Sequence, residues 1–126
     1  MEILFKINIK DKIIYETWPE SVSFEDYSKM KNKQFSHPDF DAEFNVITDL
    51  RKVDMKFDES FILNIISFIK ENSDFMMHRK SALVADSPQL VASSLFFGQR
   101  MRDLPVKVSI FSTLEAAIKW VKEKWR

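Results

Sequence analysis

The stretch FNVITDLRKVDMKFDESFILNIISFI (Phe44 to Ile69) decides the fold. Phe44 to Thr48 is an apolar, β-branched run that closes on Asp49 and reads as a strand. A short loop later, Asp58 and Ser60 open a segment in which Phe61, Ile62, Ile65, Phe68 and Ile69 recur with the 3.6-residue period of a helix running from about Asp58 to Asn72. The same order returns twice. Ser81 to Ala85 leads into Asp86-Ser87-Pro88 and a helix, and Val106 to Phe111 leads into Ser112-Thr113 and a helix. Three strand-polar-helix units predict adjacent parallel strands joined by helical crossovers, with their polar residues at the C-terminal edge of one sheet. Ligand and partner sites of open α/β sheets lie at that edge.

Upstream, Ile3, Phe5, Ile7 and Ile9 alternate with Leu4, Lys6, Asn8 and Lys10, and a turn at Lys10-Asp11-Lys12 leads to a second strand, Ile13 to Trp18. This is an antiparallel hairpin. Ser23-Phe24-Glu25-Asp26 has the spacing of a capping box, and the helix it starts carries Phe24, Tyr27, Met30 and Phe35 inward before stopping ahead of His37-Pro38. The next helix has Ser87 as N-cap and Pro88 at its first position, and is expected to pack Leu90, Val91, Leu95 and Met101, with Gly98 allowing close approach to the sheet. Ser112-Thr113-Leu114-Glu115 reads as a capping box for a last helix that buries Leu114, Ile118, Val121 and Trp125 and runs to the chain end. The alternation in the first and last strands predicts a second sheet face only partly covered by helix.

One domain, residues 1–126, accounts for the whole length. Nineteen basic residues balance nineteen acidic ones without a block of either sign, so no nucleic-acid footprint is present. Lys6 and Lys10 interrupt the apolar N-terminus, and Asn64 and Ser67 interrupt the most apolar helix, which argues against a signal peptide and against membrane insertion. With no cysteine, the chain is expected to be cytoplasmic. A single glycine, Gly98, excludes the glycine-rich loops that cradle phosphates in P-loop and dinucleotide-binding proteins. No cofactor is expected.

The helix end and loop KNKQFSHPDFDAEFNVITDLR (Lys31 to Arg51), the loop VDMKFD (Val53 to Asp58), DSP (Asp86 to Pro88) and VKVSIFSTLEAAIKWV (Val106 to Val121) resemble small bacterial STAS-domain, or SpoIIAA-like, proteins. The resemblance covers essentially the whole chain. It implies an α/β fold of the SpoIIAA-like (STAS-like) kind, a βα superhelix with an N-terminal β-hairpin, three βα units, a five-stranded mixed sheet and four main helices. It further implies a non-enzymatic regulatory or protein-interaction module. In anti-sigma-factor antagonists of this fold a serine at the start of the second helix is phosphorylated, and the matching segment here is Phe57-Asp58-Glu59-Ser60-Phe61, with Ser60 close to the switch position. Asp58 and Glu59 would repel a phosphate there more strongly than the helix dipole would attract it. The fold's other relatives carry an apolar ligand beside the sheet, so the alternative function is carrier or sensor of a small apolar, lipid-like ligand.

The candidate partner-binding edge comprises Asp49, Arg51, Asp58, Ser60, Asp86, Ser87 and Ser112. The partner is expected to be a protein, a second copy of the chain included. Asp58, Ser87 and Ser112 are equally explained as helix N-caps, each contributing about 1 kcal/mol. His37, Asp39, Asp41 and Glu43 alternate as hard-cation ligands can, but lack the glycine that allows the sharp turn of a calcium loop, so no metal is expected. His78-Arg79-Lys80, with Arg100 and Arg102, reads as a solvated connection and helix end rather than an anion patch. No nucleophile sits in an elbow motif, and no enzymatic activity is expected.

Overall fold

The computed structural model describes residues 1–124. β1 (Leu4–Asn8) and β2 (Ile13–Thr17) form the antiparallel hairpin, turned at Lys12, whose φ is 58°. Then come α1 (Phe24–Phe35), β3 (Asn45–Asp49), α2 (Glu59–Glu71), the single-turn α3 (Ser73–Met76), β4 (Lys80–Val84), α4 (Pro88–Arg100), β5 (Lys107–Phe111) and α5 (Leu114–Lys122). The strands lie in chain order, β1-β2-β3-β4-β5, and every pair from β2 onward is parallel. The expected order and direction of the three downstream strands are thus observed. The five-stranded mixed sheet is also as expected; α3 is an addition.

Period-2 alternation sorts the strands' side chains to two faces. Leu83 and Val108 face the side on which α1, α2 and α4 pack, and the larger core forms there from Trp18, Tyr27, Ile62, Ile66, Leu90 and Met101. On the opposite face Ile13, Ile47, Ala82 and Val84 meet Ala117 and Val121 of α5. Polar anchors fix that helix. Lys80 Nζ donates to the carbonyls of Trp120 (2.8 Å) and Glu123 (2.7 Å), and Asn45 Nδ2 to that of Val121 (2.9 Å), which satisfies carbonyls that a helix end leaves open. Cover stops short of β1, where Leu4 is 63% exposed.

Local signals explain most boundaries. Ser23 and Asp26 make the expected capping box, and Ser87 caps α4 by accepting from Leu90 N. The loop before β3 is pinned by Phe40, whose ring meets Phe35 and Phe75. Four expectations are corrected. Ser112 does not cap α5: β5 runs to Phe111, Ser112 is the exposed link, and Thr113 accepts from Ala116 N, so Glu115 falls one position early for a capping box. Helix α5 stops at Lys122 with Glu123 as its cap, and Trp125 lies outside the described residues. Leu95 is 59% exposed because α4 turns Leu90, Ser94, Phe97 and Met101 toward the sheet, a spacing that leaves Leu95 well off the inward direction. A Cβ on Gly98 would meet Val108 Cγ1 at 3.6 Å, an ordinary contact, so close approach does not require glycine there.

Candidate functional site

The residues expected at the C-terminal edge divide into two groups. Asp49 stands opposite Val84, and Val84 opposite Phe111, so Asp49, Asp86, Ser87 and Ser112 lie at one end of the sheet. Arg51 joins them. Its Nε and Nη2 donate to the two Asp49 oxygens at 2.9 and 2.8 Å, and its backbone N–H donates to Oδ1. The Arg51 hydrogen bonds hold the Asp49 carboxyl below its ordinary range; the guanidinium is pushed up chiefly by Asp49, with added attraction from Asp86 and Glu115. Asp58 and Ser60 belong to the start of α2: Asp58 Oδ1 caps the helix by accepting from Phe61 N at 2.8 Å, and Ser60 is exposed. Their neighbour Glu59 pairs at 3.8 Å with Arg100 at the far end of α4.

A second site lies inside the molecule, between the sheet and α1, α2 and α4. Alternation along β2 places Glu16 on the same face as Ile14 and Trp18, where it is buried beneath the helical layer. Helix α1 supplies its partners, because Lys31 and Gln34 share the inward phase of Tyr27 and Met30. Lys31 Nζ lies 2.6 Å from Glu16 Oε2, Gln34 Nε2 donates to the same oxygen at 2.8 Å, and Trp18 Nε1 donates to Oε1 at 3.2 Å. Thr48 Oγ1 adds a longer contact at 3.4 Å. Burial alone would raise the Glu16 carboxyl, but the Lys31 charge and these donors outweigh it and hold it below its ordinary value. Burial lowers the Lys31 ammonium, and Glu16 restores only part of that.

Arg79 reaches the same interior from the other side. After α3, His78 adopts a left-handed conformation (φ 63°) and donates its N–H to Pro105 O at 2.7 Å, and Arg79 O then accepts from Lys107 N at 3.1 Å. The ladder is thereby joined one residue before β4, with Arg79 on the face of Ser81 and Leu83. Arg79 is 4% exposed, makes no ion pair among the described residues, and its Nη1 has no hydrogen-bond partner. Burial lowers its pKa, against the attraction of Glu16 and of Tyr27. Ser94, 3% exposed on α4, has an equally unpartnered Oγ.

These groups line a cavity of about 90 Å³. Its walls are mainly apolar, with Phe61, Ile65 and Ile69 from α2, Phe97 and Met101 from α4 or its end, and Val108 from β5. Glu16, Lys31, Thr48, Arg79 and Ser94, together with Ser81 and Ser93, bring polar groups to it. The reading of Arg79 and Lys80 as a solvated connection is therefore corrected: both are buried, because the strand begins there and alternation sends one to each face. Sequence reasoning also passed over Glu16, Lys31 and Ser94. The signal was available for the first two, since each is a polar residue at an apolar phase, Glu16 between Ile14 and Trp18 and Lys31 beside Tyr27 and Met30.

In the loop Ser36 to Glu43, His37 Nδ1 accepts from Asp39 N and Asp41 Oδ1 from Glu43 N. Among the described residues no group of three or more such side chains is placed to hold a metal ion, and no helix is long and apolar enough to cross a membrane. Comparison with family models, with curated proteins and with solved structures finds no match to this chain.

Proposed function

We propose that the chain is a SpoIIAA-like (STAS-like) domain that carries or senses a small, largely apolar ligand, without catalysing a reaction on it. The observation that carries this reading is the cavity of about 90 Å³ between the sheet and helices α2 and α4. Native interiors pack to crystal density, and a cavity whose walls are mainly apolar forfeits the dispersion contacts of those walls, so a retained one calls for a use. Sequential parallel strands with three helices on one face support the SpoIIAA-like assignment. Such cavities take up apolar guests. The test uses xenon with methyl-resolved NMR of the full chain. The expected result is saturable shifts confined to lining methyls such as those of Ile65, Ile69 and Met101. No shift there, at pressures that fill comparable cavities, sinks the reading.

A second reading, a protein-interaction module working through the Asp49 edge, is supported by one observation. Arg51 is drawn electrostatically to Asp49, Asp86 and Glu115 at once, which clusters charge from three βα junctions on the surface. Loss of a captured partner on Asp49→Lys, with the cavity still binding xenon, would favour it.

A further inference from the structure

We propose that the ligand of this cavity is a small monocarboxylic acid, its carboxylate held by Arg79 and Ser94 and its hydrocarbon part lying against Phe61, Ile65 and Phe97. The inference rests on the cavity reading above and names its ligand class.

The argument begins with a charge count. Glu16 and Lys31 compensate each other at 2.6 Å, and the remaining hydrogen-bonding capacity of Glu16 is taken up by Gln34, Trp18 and Thr48. Arg79 is left over: one guanidinium, almost wholly buried, with no carboxylate within ion-pair distance among the described residues. An arginine cannot shed its proton at neutral pH, and an uncompensated buried charge costs several kcal/mol. Native proteins seldom leave such a group unpartnered. The Arg79 Nη1 donor and the Ser94 hydroxyl line the same cavity and both lack partners, so one guest can satisfy both.

The guest's chemistry follows. A single net positive charge calls for a monoanion, and the planar guanidinium fork matches a carboxylate. A phosphate dianion would replace one uncompensated charge by another. The apolar walls exclude a bare inorganic anion as the best fit, since they reward a hydrocarbon tail. Size limits that tail: a cavity of roughly 150 Å³ holds benzene, with its six carbons, so about 90 Å³ suits roughly four non-hydrogen atoms, a carboxylate carrying one short alkyl carbon.

The experiment compares acetate with acetamide, which has nearly the same shape and no charge, and with chloride and phosphate, by methyl NMR titration of the full chain. Acetate is expected to bind about tenfold more tightly than the amide, the ratio that one charge-assisted hydrogen bond supplies. The preference is expected to vanish in Arg79→Met and to persist, weakened, in Arg79→Lys, which keeps the charge and loses the fork. Ser94→Ala provides an independent variant, expected to weaken acetate severalfold. Equal binding of acid and amide, or no cavity shift with either while xenon still binds, overturns the carboxylate inference and leaves the cavity reading standing, as does chloride or phosphate binding as tightly as acetate. Absence of any cavity shift with acetate, acetamide and xenon alike overturns both.

Discussion

At the residue scale, the interior of this chain holds two kinds of charge, and they should respond oppositely to removal. Glu16 and Lys31 depend on each other. Glu16→Leu alone leaves Lys31 buried beside Arg79 with nothing to balance either, and is expected to cost about 3 to 5 kcal/mol in a denaturant titration, whereas Glu16→Leu with Lys31→Met should recover most of that loss. Arg79 has no such partner. Arg79→Met is therefore expected to raise the unfolding free energy by about 1 to 2 kcal/mol, as replacement of a poorly compensated buried charge by a hydrophobe does elsewhere. A destabilised Arg79→Met protein would show that attraction across the cavity from Glu16 outweighs the cost of burying the guanidinium. Stability given up at a binding residue is the usual trade between fold and site.

At the element scale, helices were legible where their apolar residues mark the inward face, and misread where a polar residue occupies it. The stripe on α2 was read nearly as observed, with Ile66 the buried residue it missed. Phe68 is only partly buried, yet its ring lies 5.5 Å from Tyr27, 6.1 Å from Phe24 and 6.3 Å from Phe35, which joins α2 to α1. Phe68→Ala is expected to cost about 3 kcal/mol, the lower end for an aromatic truncation. On α4 Leu90 and Met101 are buried as expected and Leu95 is not, because Ser94 holds a buried position that no hydrophobic pattern announces. Leu95→Gln should shift the denaturant midpoint by less than about 0.5 kcal/mol equivalent. A larger loss would place Leu95 in an interface rather than on a free surface. Strand edges were legible for a different reason: Asp49, Asp86 and Ser112 end their strands in a chemically visible way, while which serine or threonine then caps the helix depends on where the ladder stops.

At the scale of the whole molecule, strand order followed from repeated βα units and the handedness of crossovers, whereas the cavity could not. It forms from side chains of β2, α1, β3, α2, β4, α4 and β5 that are as much as 92 residues apart between Glu16 and Val108, and only tertiary packing brings them together. Its acid group gives the molecule a pH dependence of known sign. Folding lowers the Glu16 carboxyl below its ordinary 4.5, so between the folded value and 4.5 the unfolded chain binds more protons and stability rises with pH. The contribution is complete above 4.5 and is lost as pH falls through the folded value. Asp49, held down by Arg51, adds in the same direction, but it is partly open to solvent and counts for less. Unfolding free energy is therefore expected to be flat from about pH 5 to 7 as far as these two groups govern it, and to fall steeply below about pH 4. Glu16→Gln should be less stable at neutral pH and show a shallower acid limb, because the proton that the wild-type interior must take up has no site left to occupy. An acid limb of unchanged slope in Glu16→Gln would assign the acid sensitivity to surface carboxylates and remove Glu16 from the account.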